Sequence, residues 1–124
     1  DAGRIWPKKR CYTLEEVDFA AQCRQLVDKG EEAASAAMAP LLLLEEEREG
    51  AQLRHTLCVW LLDADGSTSR CASLLFVHRN TVKYRLGCIR ERLGYAVDKL
   101  PEQFGLYRAA ALWRLMKGHM SRGF

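Results

Sequence analysis

The chain has 124 residues, of which 48% are hydrophobic, and a formal net charge of +3. This length favours one small domain with a real core and leaves no room for a second domain of ordinary size. The longest aliphatic run, Leu41 to Leu44, is far too short to span a bilayer, and we see no apolar signal segment. We therefore expect a soluble, cytoplasmic protein without a membrane partner. Because the chain begins with Asp1 and not with Met, we also expect it to be a piece of a longer protein.

Charge is distributed unevenly along the chain. Residues 1–50 contain seven Lys or Arg against eleven Asp or Glu, whereas residues 51–124 contain twelve against five, so the two parts have net charges of −4 and +7. A basic part of this kind favours association with a phosphate backbone, although many basic faces are simply solvated. The charge therefore supports a nucleic-acid partner only if a motif points the same way.

The N-terminal part, residues 1–50, has the pattern of several short helices. After a basic lead, Thr13 and Glu16 have the spacing of a capping box, which predicts a helix to about Lys29. An alanine-rich segment follows, and Pro40 is suited to the start of a further short helix. Gly50 is expected to separate this part from the next. We predict a helical connector or dimerisation segment, either folded back on the rest of the chain or contacting a second copy.

The second part, residues 51–118, begins with a predicted helix over 51–62. The segment Asp63-Ala-Asp-Gly66 then breaks the chain. It resembles the opening of a calcium loop, but its glycine comes two places early and the twelfth position is Leu74 instead of Glu, so a polar turn is expected. Ser67 or Thr68 is expected to cap the next helix.

The stretch from Cys71 to Leu86 has the pattern of a helix, a tight turn and a second helix. Phe76 occupies the turn position at which many such motifs have glycine. A second helix is predicted over 79–93, stopped by Gly94, and its apolar stripe consists of Val82, Leu86, Ile89 and Leu93. Its outward face would present side chains that can bond phosphates or base edges. These candidate DNA-binding residues are His78, Arg79, Asn80, Thr81, Lys83, Tyr84 and Arg85.

The individual roles differ along this face. Arg79 and Asn80 are the best candidates for reading bases, and His78 and Thr81 for binding phosphates at the helix start. Arg85 lies close to the apolar stripe, so it has an alternative role in an ion pair with an acid such as Glu91 or Asp98. A final helix from Pro101 to about Gly118 is expected to close the core, and residues 119–124 are expected to form a frayed tail.

The sequence His78-Arg-Asn-Thr-Val-Lys-Tyr-Arg-Leu86 resembles the signature of the PucR/CdaR-type C-terminal helix-turn-helix domain of bacterial transcription regulators, and it is also similar to Fis-like helix-turn-helix motifs. Leu53-Arg-His-Thr-Leu57, about twenty residues upstream, resembles a second motif of that family. The resemblance covers about residues 40 to 116. It implies an all-α helix-turn-helix domain that binds double-stranded DNA, at the output end of a regulator with an upstream sensor domain. We also expect a homodimer on paired half-sites, because a single short helix gives limited discrimination.

Other classes of function find less support in the sequence. There is no Gly-x-Ser-x-Gly elbow, no His-Glu-x-x-His and no Gly-rich phosphate loop, so we predict no enzymatic activity and no cofactor. His55 is expected to be a structural histidine. The alternative to DNA binding is a helix-turn-helix module used only for protein–protein interaction, and a nonspecific architectural DNA binder is a third possibility.

Five cysteines are present, which is an odd number with no Cys-x-x-Cys pair. They are Cys11, Cys23, Cys58, Cys71 and Cys88. Reduced thiols used as small apolar residues are the favoured interpretation, and redox sensing or metal binding is the alternative. No metal site is predicted, because no His or carboxylate accompanies the cysteines at ligand spacing.

Overall fold

A computed structural model describes the backbone of residues 1–121 and the side chains of residues 1–116. The described chain is all-α and contains no strand, which confirms the predicted fold class. In chain order the helices are α1 (Ala2–Ile5), α2 (Leu14–Asp28), α3 (Glu31–Ala37), α4 (Ala39–Glu45), α5 (Gly50–Cys58), α6 (Thr68–Leu75), α7 (Arg79–Leu93) and α8 (Glu102–Ser121), with a π-helical turn (Val59–Asp63) directly after α5.

Helix α2 begins as its sequence predicts. Thr13 Oγ1 accepts a hydrogen bond from the Glu16 N–H at 3.0 Å, and the Glu16 carboxylate accepts one from the Thr13 N–H at 2.9 Å. This reciprocal pair is a capping box, which satisfies two N–H groups that the first helical turn leaves without partners. The helix ends at Asp28, one residue before the predicted end.

The N-terminal helices pack against α8, and α4 also packs against α5. Ile5, Met38, Leu41 and Leu44 are fully or almost fully buried in the same cluster as the apolar residues of α5, α7 and α8. The predicted connector 1–50 and the predicted domain 51–118 therefore share one hydrophobic core. The final helix is longer than expected, since it continues past Gly118 to Ser121. Residues 122–124 of the expected tail lie outside the described residues.

Gly50 is the point of closest approach between α4 and α5. It is buried, and a Cβ placed on it would lie 2.1 Å from the carbonyl oxygen of Leu44 and 2.7 Å from Cα of Glu45. Both are backbone atoms, so neither can move aside without moving α4. The glycine expected to separate two parts of the chain is instead the residue that lets them pack together.

The helix predicted over 51–62 changes character partway. The regular α-helix ends at Cys58, and a π-helical turn follows over Val59–Asp63. The first four residues of this turn, 59–62, are buried. Asp63 accepts two hydrogen bonds from Arg114 of α8, at 2.9 and 2.7 Å, and Arg114 also donates to the carbonyl oxygen of Ile5 at 2.8 Å. One half-buried guanidinium thus joins α1, the π-helical turn and α8.

Candidate nucleic-acid interface

Helices α6 and α7 are joined by a three-residue turn. Ser67 caps α6, because its Oγ accepts a hydrogen bond from the Arg70 N–H at 3.2 Å. At the other end Phe76 takes a left-handed conformation, with φ 57° and ψ 42°. The Val77 N–H then donates to the Ala72 carbonyl at 3.0 Å, which closes the helix end. Phe76 therefore adopts the positive φ that glycine usually supplies in such turns.

His78 is the N-cap of α7. Its Nδ1 accepts a hydrogen bond from the Asn80 N–H at 3.0 Å, so the imidazole performs the role that Ser, Thr, Asp or Asn has in most helices. Helix α7 runs from Arg79 to Leu93 and ends at Gly94, whose φ is 84°. These are the predicted bounds, and both come from local signals at the helix ends.

The inner face of α7 is the predicted apolar stripe. Val82 and Ile89 are fully buried, and Leu86 and Leu93 are half-buried against the same core. Because the helix is held from this side, its opposite face is fixed toward solvent. The stripe is therefore confirmed as the packing surface of α7.

The outer face begins with four exposed polar side chains, those of Arg79, Asn80, Lys83 and Tyr84. Thr81 is half-buried between this face and the core. A hydrogen bond with Cys88 raises the pKa of the Tyr84 hydroxyl above its ordinary value. The phenol, which is protonated near neutral pH in any case, can therefore act as a hydrogen-bond donor on this face.

The side chains of two neighbouring arginines, Arg92 and Arg54, bind other residues of the chain. Arg92 donates to the Arg48 carbonyl at 2.6 Å and pairs with Glu47 at 3.0 Å. Arg54 pairs with Glu45 and lies over the ring of Trp113. By contrast, the side chains of Arg79 and Lys83 make no hydrogen bond or ion pair with another residue of the described chain. The uncommitted positive charge of α7 is thus found at its first turns, together with exposed Arg90 near its end.

Arg85 does not share the outer face. Its side chain is half-buried and turns toward α5, where Nη1 donates to Thr56 Oγ1 at 3.3 Å. The anticipated structural role is thus present, but the partner is Thr56 and neither Glu91 nor Asp98. Of the seven candidate residues, the structure brings six together around the start of α7 and directs Arg85 inward.

Thr56 has a role that sequence reasoning missed. It is fully buried, its hydroxyl donates to the Gln52 carbonyl at 2.9 Å, and its own carbonyl lies 3.9 Å from the thiol of Cys71 on α6. With Arg85 it therefore contacts all three helices of the motif, α5, α6 and α7. The signal available in the sequence was a polar residue on the apolar face of a predicted core helix.

Three of the five cysteines and His55 have pKa values shifted by burial. All five cysteines are free thiols, and burial raises the pKa of Cys23, Cys58 and Cys71 to about 11 each. No group of three metal-ligating side chains occurs among residues 1–116. Desolvation by burial, with nearby Arg114 and Arg54, lowers the pKa of His55. Among the described residues, each helix is too short or too polar to span a lipid bilayer.

A capped helix, a left-handed turn and a second helix packed across a third define this region as a helix-turn-helix domain. Residues 53–112, just under half of the chain, match the family model of the PucR C-terminal helix-turn-helix domain. The predicted resemblance is thereby confirmed.

Two curated relatives extend the comparison. The carbohydrate diacid regulator of Escherichia coli (strain K12) is 29% identical over 106 residues, which cover 86% of this chain and 27% of the relative. The purine catabolism regulatory protein of Bacillus subtilis (strain 168) is 38% identical over 74 residues, covering 60% of this chain and 14% of the relative. The chain thus spans about a quarter or less of these proteins. No solved structure matches significantly.

Proposed function

We propose that this chain binds double-stranded DNA sequence-specifically and is the output domain of a bacterial transcription regulator. The observation that carries the proposal is the exposed start of α7, where Arg79, Asn80, Lys83 and Tyr84 face solvent. The N-terminal turns of the second helix are the part of a helix-turn-helix that enters the major groove. The family match of residues 53–112 supports the same role.

The geometry supports different roles for the residues of this face, some contacting bases and others contacting phosphates. Arg79 can donate two hydrogen bonds to a guanine, and Asn80 can pair with an adenine edge. His78 uses Nδ1 to cap the helix, so a neutral imidazole has its proton on Nε2, which is then a donor for a phosphate oxygen. Thr81 can donate to a second phosphate. Lys83 and Tyr84, one turn later, lie where the next base pair or the groove wall would be.

The rest of the regulator is proposed from the relatives. One is named a carbohydrate diacid regulator and the other a purine catabolism regulatory protein, and the matched region is a minor part of each. We propose an upstream sensor domain in the same protein, a homodimer that places two copies of α7 on paired half-sites, and a cytoplasmic location. A single short helix contacts too few base pairs for strong discrimination, which is the physical reason to expect a dimer.

The test is selection of duplexes from a randomised pool by the 124-residue chain, followed by affinity measurements at two salt concentrations. The Arg79→Ala/Lys83→Ala variant should lose sequence preference, because a bidentate Arg contact discriminates by about 1–3 kcal/mol. The Lys99→Ala/Arg108→Ala variant is the control. It removes the same charge from exposed positions outside α7 and should keep the preference.

Equal losses in the two variants would show that binding depends on charge alone, as in a nonspecific architectural protein. Failure of the pool to yield a preferred duplex would overturn sequence-specific binding. Absence of binding even at low salt, in a monomer and in a dimer, would shift the weight to a protein-interaction module.

A further inference from the structure

Phe76 has a strained backbone and an exposed side chain, and neither stabilises the folded chain. Its backbone is left-handed, with φ 57°, a conformation that bulky L-residues rarely adopt and glycine adopts freely. Its side chain is 95% exposed, more than any other large hydrophobic residue of the described chain. The side chain therefore gains almost no packing energy that could offset the strain in its backbone. A strained backbone that carries an exposed aromatic ring suggests a binding role for that ring.

The position of Phe76 indicates which partner its ring would contact. The residue lies at the end of α6 and lines a groove with Ser69, Ser73, His78 and Arg79. These are the side chains that approach the duplex if α7 enters the major groove, so Phe76 continues the proposed interface to its edge. The remaining lining residues of the groove are Ala72 and Val77.

We infer that the Phe76 ring is a DNA-contacting residue that packs on the apolar surface of the duplex at the edge of the major groove. That surface is formed by thymine C5 methyl groups and by deoxyribose carbons, and Phe is among the side chains that contact the thymine methyl. The inference rests on the proposed DNA binding. It adds an apolar contact to an interface whose other candidate residues are polar or charged.

The decisive variant is Phe76→Gly, because it removes the ring and relaxes the backbone at once. Its melting temperature should equal or exceed that of the unsubstituted chain, since the ring makes almost no contacts and glycine favours positive φ. Its affinity for a duplex selected by the unsubstituted chain should nevertheless fall about ten-fold, as loss of partial burial of an aromatic ring implies. A variant that is no less stable but binds DNA more weakly cannot be explained by misfolding.

Three further variants complete the test. Phe76→Asn also tolerates the left-handed turn and should bind as weakly as Phe76→Gly, whereas Phe76→Tyr retains the ring and should bind normally. Leu14→Ala removes another exposed apolar side chain, 72% exposed on α2, and should leave affinity unchanged. Replacing the selected thymines by uracil distinguishes the two surfaces. If Phe76 contacts a methyl group, uracil weakens the unsubstituted chain but not Phe76→Gly, and if it contacts deoxyribose, uracil affects both equally.

The failures of the two proposals are distinguishable. If Arg79→Ala/Lys83→Ala loses sequence preference but Phe76→Gly binds the duplex with unchanged affinity, the role of Phe76 is overturned and DNA recognition by α7 stands. If the unsubstituted chain binds no duplex, both proposals fail together.

Discussion

Arg85 on α7 donates a hydrogen bond to the buried hydroxyl of Thr56 on α5, with 3.3 Å between Nη1 and Oγ1. The same hydroxyl donates to the Gln52 carbonyl at 2.9 Å, so it is satisfied both as donor and as acceptor. The contact joins the middle of α7 to the helix beneath it. It therefore fixes the orientation in which the outer face of α7 is presented.

We expect Arg85→Met and Thr56→Val each to lower the free energy of unfolding by about 1–2 kcal/mol, because each removes this partly buried hydrogen bond. The double variant should be less destabilised than the sum, with a coupling energy of about 0.5–1.5 kcal/mol in urea denaturation. Additive losses would show that the two side chains do not interact. Arg79→Ala is the matched control, and since Arg79 is exposed its unfolding free energy should be unchanged.

The ion pair between Asp63 and Arg114 should be more important to stability than the exposed pairs. Both side chains are less than one-fifth exposed, and the pair is bidentate. We expect Asp63→Asn to cost about 2–4 kcal/mol, because a half-buried guanidinium then loses its counter-charge. Desolvation tends to lower the pKa of Arg114, but the contacts with Asp63 outweigh it and the net pKa is raised.

The control for this pair is Asp1→Asn, which weakens a more exposed pair with Arg24. That pair should contribute at most about 1 kcal/mol. Equal losses for the two substitutions in urea denaturation would contradict a special role for Asp63.

Gly50 and Gly105 allow a direct comparison of two helical glycines. Gly50→Ala should destabilise the chain by about 2–3 kcal/mol, because the new Cβ would clash with the backbone of α4 at Leu44. Gly105→Ala places a Cβ where no atom beyond the adjoining backbone of α8 lies within 4 Å, so it should stabilise α8 by about 0.5–1 kcal/mol. The measurement is the shift in melting temperature, and a shift of the same sign for both would contradict the close approach.

Thiol reactivity should separate the cysteines by burial. Cys11 is exposed, whereas Cys23, Cys58 and Cys71 are buried with pKa values of about 11. Since the thiolate is the reactive form, an alkylating reagent at pH 8 should modify Cys11 first and the buried three only in denaturant. Peptide mapping by mass spectrometry reads the order directly. Early modification of Cys71 would indicate that α6 opens away from Thr56.

The predictable features were those encoded by neighbouring residues. The capping box at Thr13, the bounds of α7 and its apolar stripe depend on residues within a few positions of each other, and the structure has each of them. The left-handed conformation of Phe76 could not be predicted from the sequence, because bulky residues rarely adopt positive φ. In the interface, sequence pattern identified the polar face of α7 but not which way Arg85 turns.

The missed features depend on long-range contacts. Asp63 and Arg114 are 51 positions apart, and Thr56 and Arg85 are 29 apart, so neither pair has a local signature. The π-helical turn was also missed, since the apolar run over 59–62 fits α-helical burial equally well. The two contacts and the π-helical turn depend on packing between distant parts of the chain. In a single sequence the only trace of such packing is a polar residue among apolar ones.

The guanidinium of Arg114 has a practical meaning for anyone who cuts or fuses this protein. It grips the Ile5 carbonyl, and α8 is covered by helices that precede residue 50. The family match begins only at residue 53. A fragment trimmed to that match would expose one side of α8 and should aggregate, so a fusion protein that carries this helix-turn-helix needs the acidic N-terminal helices as well.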